Sequence, residues 1–188
     1  MREKNNIQEI INGCCKQRPN AQRQLVALYS DFLYAICCRY MQNRNTAKDQ
    51  LQISLLKILK NIDQYNSEKG KLESWMSRIT INTCLTDLRK NRINIVSIDD
   101  ASLSSAEIPP EVIDQLKTKD LIELIQSLPD IYREIFNLVE IDGFSHHEIA
   151  EMLNIKVSSS RARLSRAKEM LRNKLIPLDK KKSWINLA

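Results

Sequence analysis

Hydrophobic residues between positions 6 and 92 recur with the period of an α-helix. Three runs with three- and four-residue spacing follow one another along the chain: Leu25, Leu28, Tyr29, Phe32, Leu33 and Ile36; then Leu51, Leu55, Ile58, Leu59 and Ile62; then Trp75, Ile79, Leu85 and Leu88. This spacing places each run on one side of a helix, so we expect each helix to bury one stripe. Turn-forming residues near 18–20, 43–45 and 66–71 separate the helices, which predicts a bundle of three or four antiparallel helices.

The stretch from 93 to 112, INIVSIDDASLSSAEIPPEV, has no helical period. It is rich in serine and aspartate, and its Pro109–Pro110 pair excludes a helix at that point. We therefore predict an extended, acidic interdomain linker over 93–114. A spacer without specific contacts accounts for such a segment.

Two helical domains are predicted to flank this linker, the first over 1–92 and the second over 115–176. Within the second domain Pro129 stands where a helix can begin. Pro177 is expected to end the last helix and to leave 177–188 as a loose tail. The predicted fold class is all-α, because glycine and proline are few and helix-forming residues dominate the composition.

The segment 143–171, GFSHHEIAEMLNIKVSSSRARLSRAKEML, has the pattern of a helix-turn-helix. Ser145 and Glu148 have the spacing of a capping box, which predicts a helix start. Asn154 follows that helix at the corner, where asparagine tolerates the left-handed backbone that a tight turn needs. Ser158 is expected to cap the second helix. The second domain is therefore predicted to end in a helix-turn-helix.

A helical wheel of the second helix separates an apolar face from a basic one. The inner face is predicted to hold Ser160, Leu164, Ala167, Leu171 and Leu175. The outer face and flanks are predicted to hold Ser159, Arg161, Ala162, Arg163, Ser165, Arg166 and Asn173. From 158 to 174 there are six basic residues and one acidic residue. Small side chains beside arginines suit entry into the DNA major groove, where arginine forks onto guanine, while Ser158 and the free N–H groups can meet phosphate. The alternative is a solvated basic helix packed against a protein partner.

Net charge is +6 and is unevenly distributed along the chain. Residues 1–92 carry 16 basic and 8 acidic side chains, 93–128 carry 2 and 7, and 129–188 carry 11 and 8. Basic blocks favour polyanionic partners, although solvated surfaces also account for them. No apolar run reaches the roughly 18 residues of a membrane span, and the N-terminus lacks the apolar core of a signal peptide, so we expect a cytoplasmic protein without membrane insertion.

Sequence motifs of enzymes and metal sites are absent. The chain contains no P-loop, HExxH or GxSxG motif, and its two histidines, His146 and His147, are neighbours that we expect at the surface. The five cysteines lack CxxC spacing and are predicted to be buried, reduced thiols. We therefore expect no catalytic residue, no metal and no cofactor.

Four segments together resemble the extracytoplasmic-function group of bacterial sigma factors. LPDIYREIFNLVEIDGFSHHEIAEML and VSSSRARLSRAKEMLR resemble the promoter-reading C-terminal domain of that family, TAKDQLQISLLKILKNIDQY its polymerase-binding helix, and KLESWMSRITINTCLTDLRKNR its helix for the downstream promoter element. The matches cover about 20–92 and 115–175. The resemblance implies a transcription initiation factor whose partners are core RNA polymerase, promoter DNA and, in many members, an anti-sigma factor. It also implies that the acidic linker runs toward the RNA exit path of the polymerase, where its negative charge would mimic RNA; a spacer without specific contacts is the alternative.

The resemblance also implies roles for particular residues. Polymerase binding falls to Asp49, Gln52, Ile53 and Leu56, of which Asp49 and Gln52 match the family's D-x-x-Q pattern. The downstream element is assigned to Tyr65, Asn66, Lys71, Arg78, Asn82 and Arg89. The upstream element is assigned to Ser158, Ser159, Arg161, Ala162, Arg163, Ser165 and Arg166. Ser160 departs from the apolar residue usual at its position, and Asn154 from the usual glycine.

Other classes of protein remain as alternatives. A stand-alone helix-turn-helix regulator would bind operator DNA without polymerase and would need a dimerising element, but the chain has no long heptad pattern. An RNA-binding helical protein would prefer RNA to promoter DNA. Dependence on core polymerase for DNA binding separates both from a sigma factor.

Overall fold

The computed structural model describes the backbone of residues 2–92 and 118–185 and the side chains of 6–90 and 120–175. Its α-helices are α1 (Arg2–Cys15), α2 (Pro19–Tyr40), α3 (Arg44–Lys60), α4 (Leu72–Arg92), α5 (Thr118–Gln126), α6 (Asp130–Phe136), α7 (His146–Leu153) and α8 (Val157–Ile185). A 3-10 turn, Ile62–Gln64, follows α3, and a π-helical turn, Asn137–Ile141, follows α6. These ranges contain no strand, which confirms the all-α fold class.

The chain forms two compact units, Met1–Ile93 and Asn94–Ala188. The predicted linker over 93–114 and the first residues of the predicted second domain, 115–117, lie outside the described residues.

In the first unit, α2 packs against α1, α3 and α4, and α3 packs against α4. The core lies between these helices and includes Leu25, Leu33, Ile36, Ile58, Met76 and Leu85. Close contact of α1 with α2 depends on Gly13, because a Cβ atom there would lie 2.5 Å from the Cβ of Ala21. A larger residue at position 13 would push these two helices apart.

The buried stripe of α2 is narrower than its sequence predicts. Leu28 is 55% exposed and Phe32 is 42% exposed, so the prediction that both belong to the core is wrong. On a helical wheel both lie at one edge of the stripe formed by Leu25, Tyr29 and Leu33. Periodicity places them near the core but does not say whether a neighbouring helix covers that edge.

Four of the five cysteines are buried, as predicted, and all five are free thiols. Cys15 is exposed, which corrects the prediction at that position, because it lies at the end of α1 just before the turn at Gln17. A hydrogen bond from Cys37 and burial raise the pKa of the Cys84 thiol. Cys84 thus remains a neutral, small hydrophobic residue in the core.

In the second unit, α5, α6 and α7 pack against α8. The core cluster consists of Leu128, Ala167 and Leu171, with Leu124, Tyr132, Phe136 and Met170 packed against it. The long helix α8 therefore provides the apolar face on which the shorter helices assemble.

A buried arginine joins α5 to α6. The Arg133 guanidinium donates to the carbonyls of Gln126 (3.1 Å) and Leu128 (2.8 Å) and pairs with Asp130. Carbonyl groups at the end of a helix lack partners within the helix, and this arginine satisfies them. Burial lowers the pKa of Arg133, while the Asp130 carboxylate opposes that shift.

Both predicted ends of the last helix are wrong. The helix begins at Val157, and the Ser160 N–H donates to the Lys156 carbonyl at 3.1 Å, so Ser158 lies inside the first turn and is not its cap. The helix also continues through Pro177 to Ile185. Proline in a helix interior removes one hydrogen bond and costs about 3 kcal/mol, but that cost does not by itself end a long helix.

The left-handed residue Asn154 makes the corner between α7 and α8. Its φ and ψ are both 52°, as the sequence predicts. We expect Asn154→Ala to destabilise the second unit by about 1 kcal/mol, since a left-handed conformation costs alanine roughly 1–2 kcal/mol. Asn154→Gly should change stability by less than about 0.5 kcal/mol, because glycine adopts this conformation freely. Urea unfolding monitored by circular dichroism measures both, and equal losses in the two variants would contradict the explanation.

Candidate nucleic-acid interface

The helix-turn-helix of the second unit is built from local hydrogen bonds. The Ser145 hydroxyl accepts from the Glu148 N–H (3.3 Å), and the Glu148 carboxylate accepts from the Ser145 N–H (2.8 Å), which confirms the predicted capping box. After Asn154, the Ile155 N–H bonds back to the Ala150 carbonyl at 3.0 Å. Only Asn154, Ile155 and Lys156 separate the two helices, so the start of α8 is held close to α7.

The inner face of α8 agrees with the helical wheel. Ser160, Ala167, Leu171 and Leu175 are buried and Leu164 is half-buried. On the remaining faces Ser158, Arg161 and Ala162 are exposed, whereas Ser159, Arg163, Ser165 and Arg166 are half-buried. Ser159 and Arg166 are thus less exposed than the wheel predicts, because neighbouring side chains cover part of each.

Two ion pairs hold the middle of α8. Arg166 Nη1 lies 3.0 Å from Glu169 Oε2 on the same helix, and Lys168 Nζ lies 2.9 Å from Glu140 Oε1 on the π-helical turn. Arg166 therefore has an acidic partner that covers part of its guanidinium. Since the pair is partly exposed to solvent, its net strength is below about 1 kcal/mol.

His146 is not the plain surface histidine that its sequence predicts. It is half-buried, and its Nδ1 lies 2.8 Å from the hydroxyl oxygen of Ser160. Burial lowers the pKa of His146, and Arg161, His147 and Lys168 lower it further, while Glu140 opposes them. Hydrophobic periodicity does not predict this contact. The only indication in the sequence was Ser160, a polar residue on an otherwise apolar helix face, which needs a hydrogen-bond partner when buried.

A tyrosine and a tryptophan join the loop before α4 to that helix in the first unit. The rings of Tyr65 and Trp75 lie 5.8 Å apart between centroids at 54° to one another, and the Tyr65 hydroxyl donates to the Gly70 carbonyl at 3.0 Å. Trp75 was predicted to lie in the core and is half-buried. Asn66 Oδ1 accepts from the Glu68 N–H at 2.8 Å, which fixes the loop backbone.

The polar residues predicted for the downstream element share one side of α4. Lys71, Arg78, Asn82 and Arg89 are all exposed and recur at seven-, four- and seven-residue intervals. That spacing puts them on the same side of the helix as Trp75. Because the Trp75 ring contacts the Tyr65 ring, the Tyr65 loop lies on this side too. The structure thus brings all six predicted residues to one side of the unit.

A groove of about 1140 Å³ runs beside this loop. Its walls include Ile7 and Ile11 of α1, Leu28 of α2, and Tyr65 and Glu68 of the loop. The exposed edge of α2 thus forms part of an apolar wall, a role that the sequence did not predict for Leu28.

One face of α3 exposes apolar side chains. Asp49, Gln52, Ile53 and Leu56 are exposed, with Ile53 at 41% and Leu56 at 68%. Their spacing puts all four on one side of the helix, whereas Ala47, Gln50, Ser54 and Ile58 are buried on the opposite side. We call the exposed side the α3 face. Ile53 and Leu56 thus place apolar area in solvent on this side of the helix.

The described part of the chain offers no metal site and no membrane-spanning helix. It contains no group of three or more His, Cys, Asp or Glu side chains placed to hold a metal ion. None of its helices is both long and apolar enough to cross a membrane.

Comparisons with known proteins match both units. A model of Sigma-70 region 2 matches residues 25–93, and a model of Sigma-70 region 4 matches residues 118–171. The ECF RNA polymerase sigma factor SigW of Bacillus subtilis is 29% identical over 183 residues, which cover 90% of this chain and 96% of that one. The ECF sigma factor SigE of Mycolicibacterium smegmatis is 31% identical over 157 residues, or 81% of this chain and 60% of that one.

A solved structure has the same fold. The sigma factor RpoE of Bartonella quintana, in complex with the anti-sigma factor NepR, superposes with a TM-score of 0.52 at 22% sequence identity. The superposition covers 84% of this chain and 97% of that one.

Proposed function

The chain belongs to the extracytoplasmic-function sigma factors, which bind core RNA polymerase and direct promoter recognition and transcription initiation, and from this premise we propose which surface performs each task. The presence of both Sigma-70 regions disfavours a stand-alone operator-binding regulator, which would not need region 2. The observation that carries the residue assignments is that each predicted set is grouped on one part of a unit and lies outside the buried core: the α3 face, the Tyr65 loop with one side of α4, and the first turns of α8.

The α3 face is the proposed polymerase-binding surface. Ile53 and Leu56 supply apolar area that water would otherwise solvate, and Asp49 and Gln52 supply polar contacts at the rim. Interfaces commonly combine an apolar centre with a polar edge. Because the buried side of α3 faces its own bundle, binding on the opposite side does not require the unit to rearrange.

The Tyr65 loop and the adjoining face of α4 are the proposed surface for the downstream element. Lys71, Arg78 and Arg89 provide cations for phosphates, while Tyr65, Asn66 and Asn82 provide stacking or polar contact to an unpaired base. The hydrogen bonds and ring contact that fix the loop favour this role, since a preorganised loop loses little entropy on binding.

The first turns of α8 are the proposed surface for the upstream element. Arg161 and Ala162 are exposed in the first turns of α8, close to the corner that the capping box and Asn154 hold in place. Arg166 lies one turn further along, about 40° around the helix from Ala162, and Ser159 and Ser165 are half-buried beside them. Ser158 and Arg163 contact phosphate in this arrangement. These are the residue types and the geometry with which a helix reads the major groove.

We assign no chemistry to the chain itself, because bond formation belongs to the polymerase that it recruits. In this proposal the domains are 1–92 and 115–176, joined by the linker 93–114, and the protein works in the cytoplasm beside the polymerase. The solved relative was bound to an anti-sigma factor, and we propose a partner of that class here too. Isolation of the factor from its native host tests for that partner, and recovery of polymerase alone would count against it.

Transcription from a promoter library tests the proposed function directly. We expect the purified chain, mixed with core polymerase and random promoter fragments, to yield transcripts whose start sites share an upstream and a downstream element. Core polymerase alone is the control. Enrichment of DNA by the chain without polymerase, together with no defined start sites in its presence, would contradict the proposal.

A further inference from the structure

A polar contact lies inside the otherwise apolar seam between α7 and α8. Ser160 is fully buried, with 0% exposure, on the face that also carries Ala167 and Leu171. A buried hydroxyl without a partner is costly, so its partner largely determines how the two helices sit together. That partner is His146, whose Nδ1 lies 2.8 Å from the serine oxygen.

The two residues lie near the starts of α7 and α8, next to the residues that are proposed to contact DNA. His146 is the first residue of α7, directly after the capping serine, so the capping box holds its backbone in place. Ser160 lies in the first turns of α8 and is the immediate neighbour of Arg161. The contact therefore ties the start of the supporting helix to the start of the helix that carries the exposed arginine.

Two other polar contacts of α8 with neighbouring segments lie farther along the helix. Lys168 pairs with Glu140 (2.9 Å), and Lys174 Nζ donates to the Ser127 carbonyl (3.1 Å). From Lys168 to Arg161 the helix rises about 10 Å, so a rotation of about 6° at Lys168 would move the Arg161 end by about 1 Å. A displacement of about 1 Å is enough to weaken hydrogen bonds to the edges of the bases.

We infer that His146 and Ser160 are positioning residues that fix the start of α8 against α7 and thereby set the affinity for the upstream promoter element. This inference rests on the proposed function, because it assumes that the first turns of α8 read DNA. Neither residue is assigned a direct contact with a base.

The ionisation state of His146 provides a second consequence. Arg161 and Lys168 of α8, His147 of α7 and Glu140 of the π-helical turn surround the imidazole, and burial together with the three basic groups lowers its pKa. The folded protein therefore holds the proton less readily than the unfolded chain. The contribution of neutral His146 to the stability of the folded unit is fully present above its ordinary pKa of 6.5. That contribution is lost as pH falls through the lower pKa of the folded state.

A double-mutant cycle tests the inference with the full-length chain and core polymerase. The variants are His146→Phe, Ser160→Val and the double variant, and binding is measured on a promoter with its upstream element intact and on one with that element scrambled. We expect each single variant to lower affinity for the intact promoter about five- to tenfold, because the contact that fixes the start of α8 is lost and, in His146→Phe, the Ser160 hydroxyl is left buried and unpaired. The double variant should return to within about threefold of wild type, since an apolar pair can fill the same seam. Affinity for the scrambled promoter should stay unchanged.

Two controls keep the outcomes separate. Ser160→Ala removes only the hydroxyl group and replaces Ser160→Val if that variant fails to fold. Urea unfolding between pH 7.5 and 5 should show wild type losing stability relative to His146→Phe as pH falls below about 6.5.

Each outcome has one meaning. The inference alone is overturned if the effects of the two single variants on affinity simply add in the double variant. It is also overturned if the single variants bind the intact promoter as tightly as wild type does. Failure of wild type to distinguish the intact from the scrambled promoter would overturn the proposed function and the inference with it.

Discussion

Leu56→Asp is expected to weaken binding to core RNA polymerase by about 30-fold or more while the first unit stays folded. Leu56 is 68% exposed on the α3 face, so the free protein hardly uses it for packing. Placing a carboxylate in an apolar contact removes hydrophobic area and forces a charge out of water. We expect Leu56 to be a hot spot of the interface, and truncation of a hot spot costs about 2 kcal/mol or more, which corresponds to about 30-fold in the dissociation constant.

The cost to folding should be small in comparison. Aspartate is a weaker helix former than leucine by roughly 0.5 kcal/mol, and position 56 makes no core contact that the change would break. Circular dichroism and urea unfolding check this directly. The affinity is measured by fluorescence anisotropy of the labelled chain titrated with core polymerase.

Leu28→Asp is the matched control for Leu56→Asp. Leu28 is 55% exposed, lies in the same unit and is also helical, but it belongs to α2 and not to the α3 face. We expect it to leave polymerase affinity within about threefold of wild type. Equal weakening by both variants would show that the assignment of the α3 face as the specific contact is wrong.

Arg166→Ala is expected to lower initiation from promoters with an intact upstream element about tenfold or more, without loosening polymerase binding. A bidentate contact from arginine to a base contributes about 1–3 kcal/mol of discrimination. Before it can bind DNA, Arg166 must leave Glu169, which lies 3.0 Å away. Because this surface pair contributes less than about 1 kcal/mol, DNA can displace it at small cost.

Lys174→Ala is the control for Arg166→Ala. It removes the same unit of charge from the same helix, but Lys174 lies two turns farther on, where it bonds to the carbonyl of Ser127. We expect at most a twofold change in initiation, from the weaker general attraction to DNA. Run-off transcription with intact and scrambled upstream elements measures both variants. If Arg166→Ala lowered initiation equally on both templates, or reduced polymerase affinity as well, its role in reading the upstream element would be refuted.

The two surfaces should behave independently. Leu56 and Arg166 lie in different units and belong to different proposed surfaces. Their effects on transcription should therefore add in free energy when Leu56→Asp and Arg166→Ala are combined at subsaturating polymerase.

The helices and the corner of the helix-turn-helix follow from the sequence because the interactions that form them are local. The capping box joins residues three positions apart, and the left-handed turn depends on the backbone preference of one asparagine. The inner face of α8 follows from the same short-range geometry. The resemblance to the sigma factor group was also visible in the sequence, because it depends on the order and spacing of motifs along the chain.

Tertiary contacts determined which apolar side chains of a helix are buried, and a local sequence pattern does not contain that information. Leu28 and Phe32 fit the apolar period of α2 yet remain exposed, because exposure depends on whether another helix covers that edge. Periodicity gives the direction of a side chain and not the identity of its neighbour.

The pairing of His146 with Ser160 joins positions 14 residues apart and exists only once α7 folds back on α8. The sequence alone thus determined which helices form, where they turn and which charges they carry, since those properties act over one or two helical turns. The packed structure alone decided which apolar residues stay in solvent and which polar residues meet in the interior, because those depend on contacts between segments far apart in the chain.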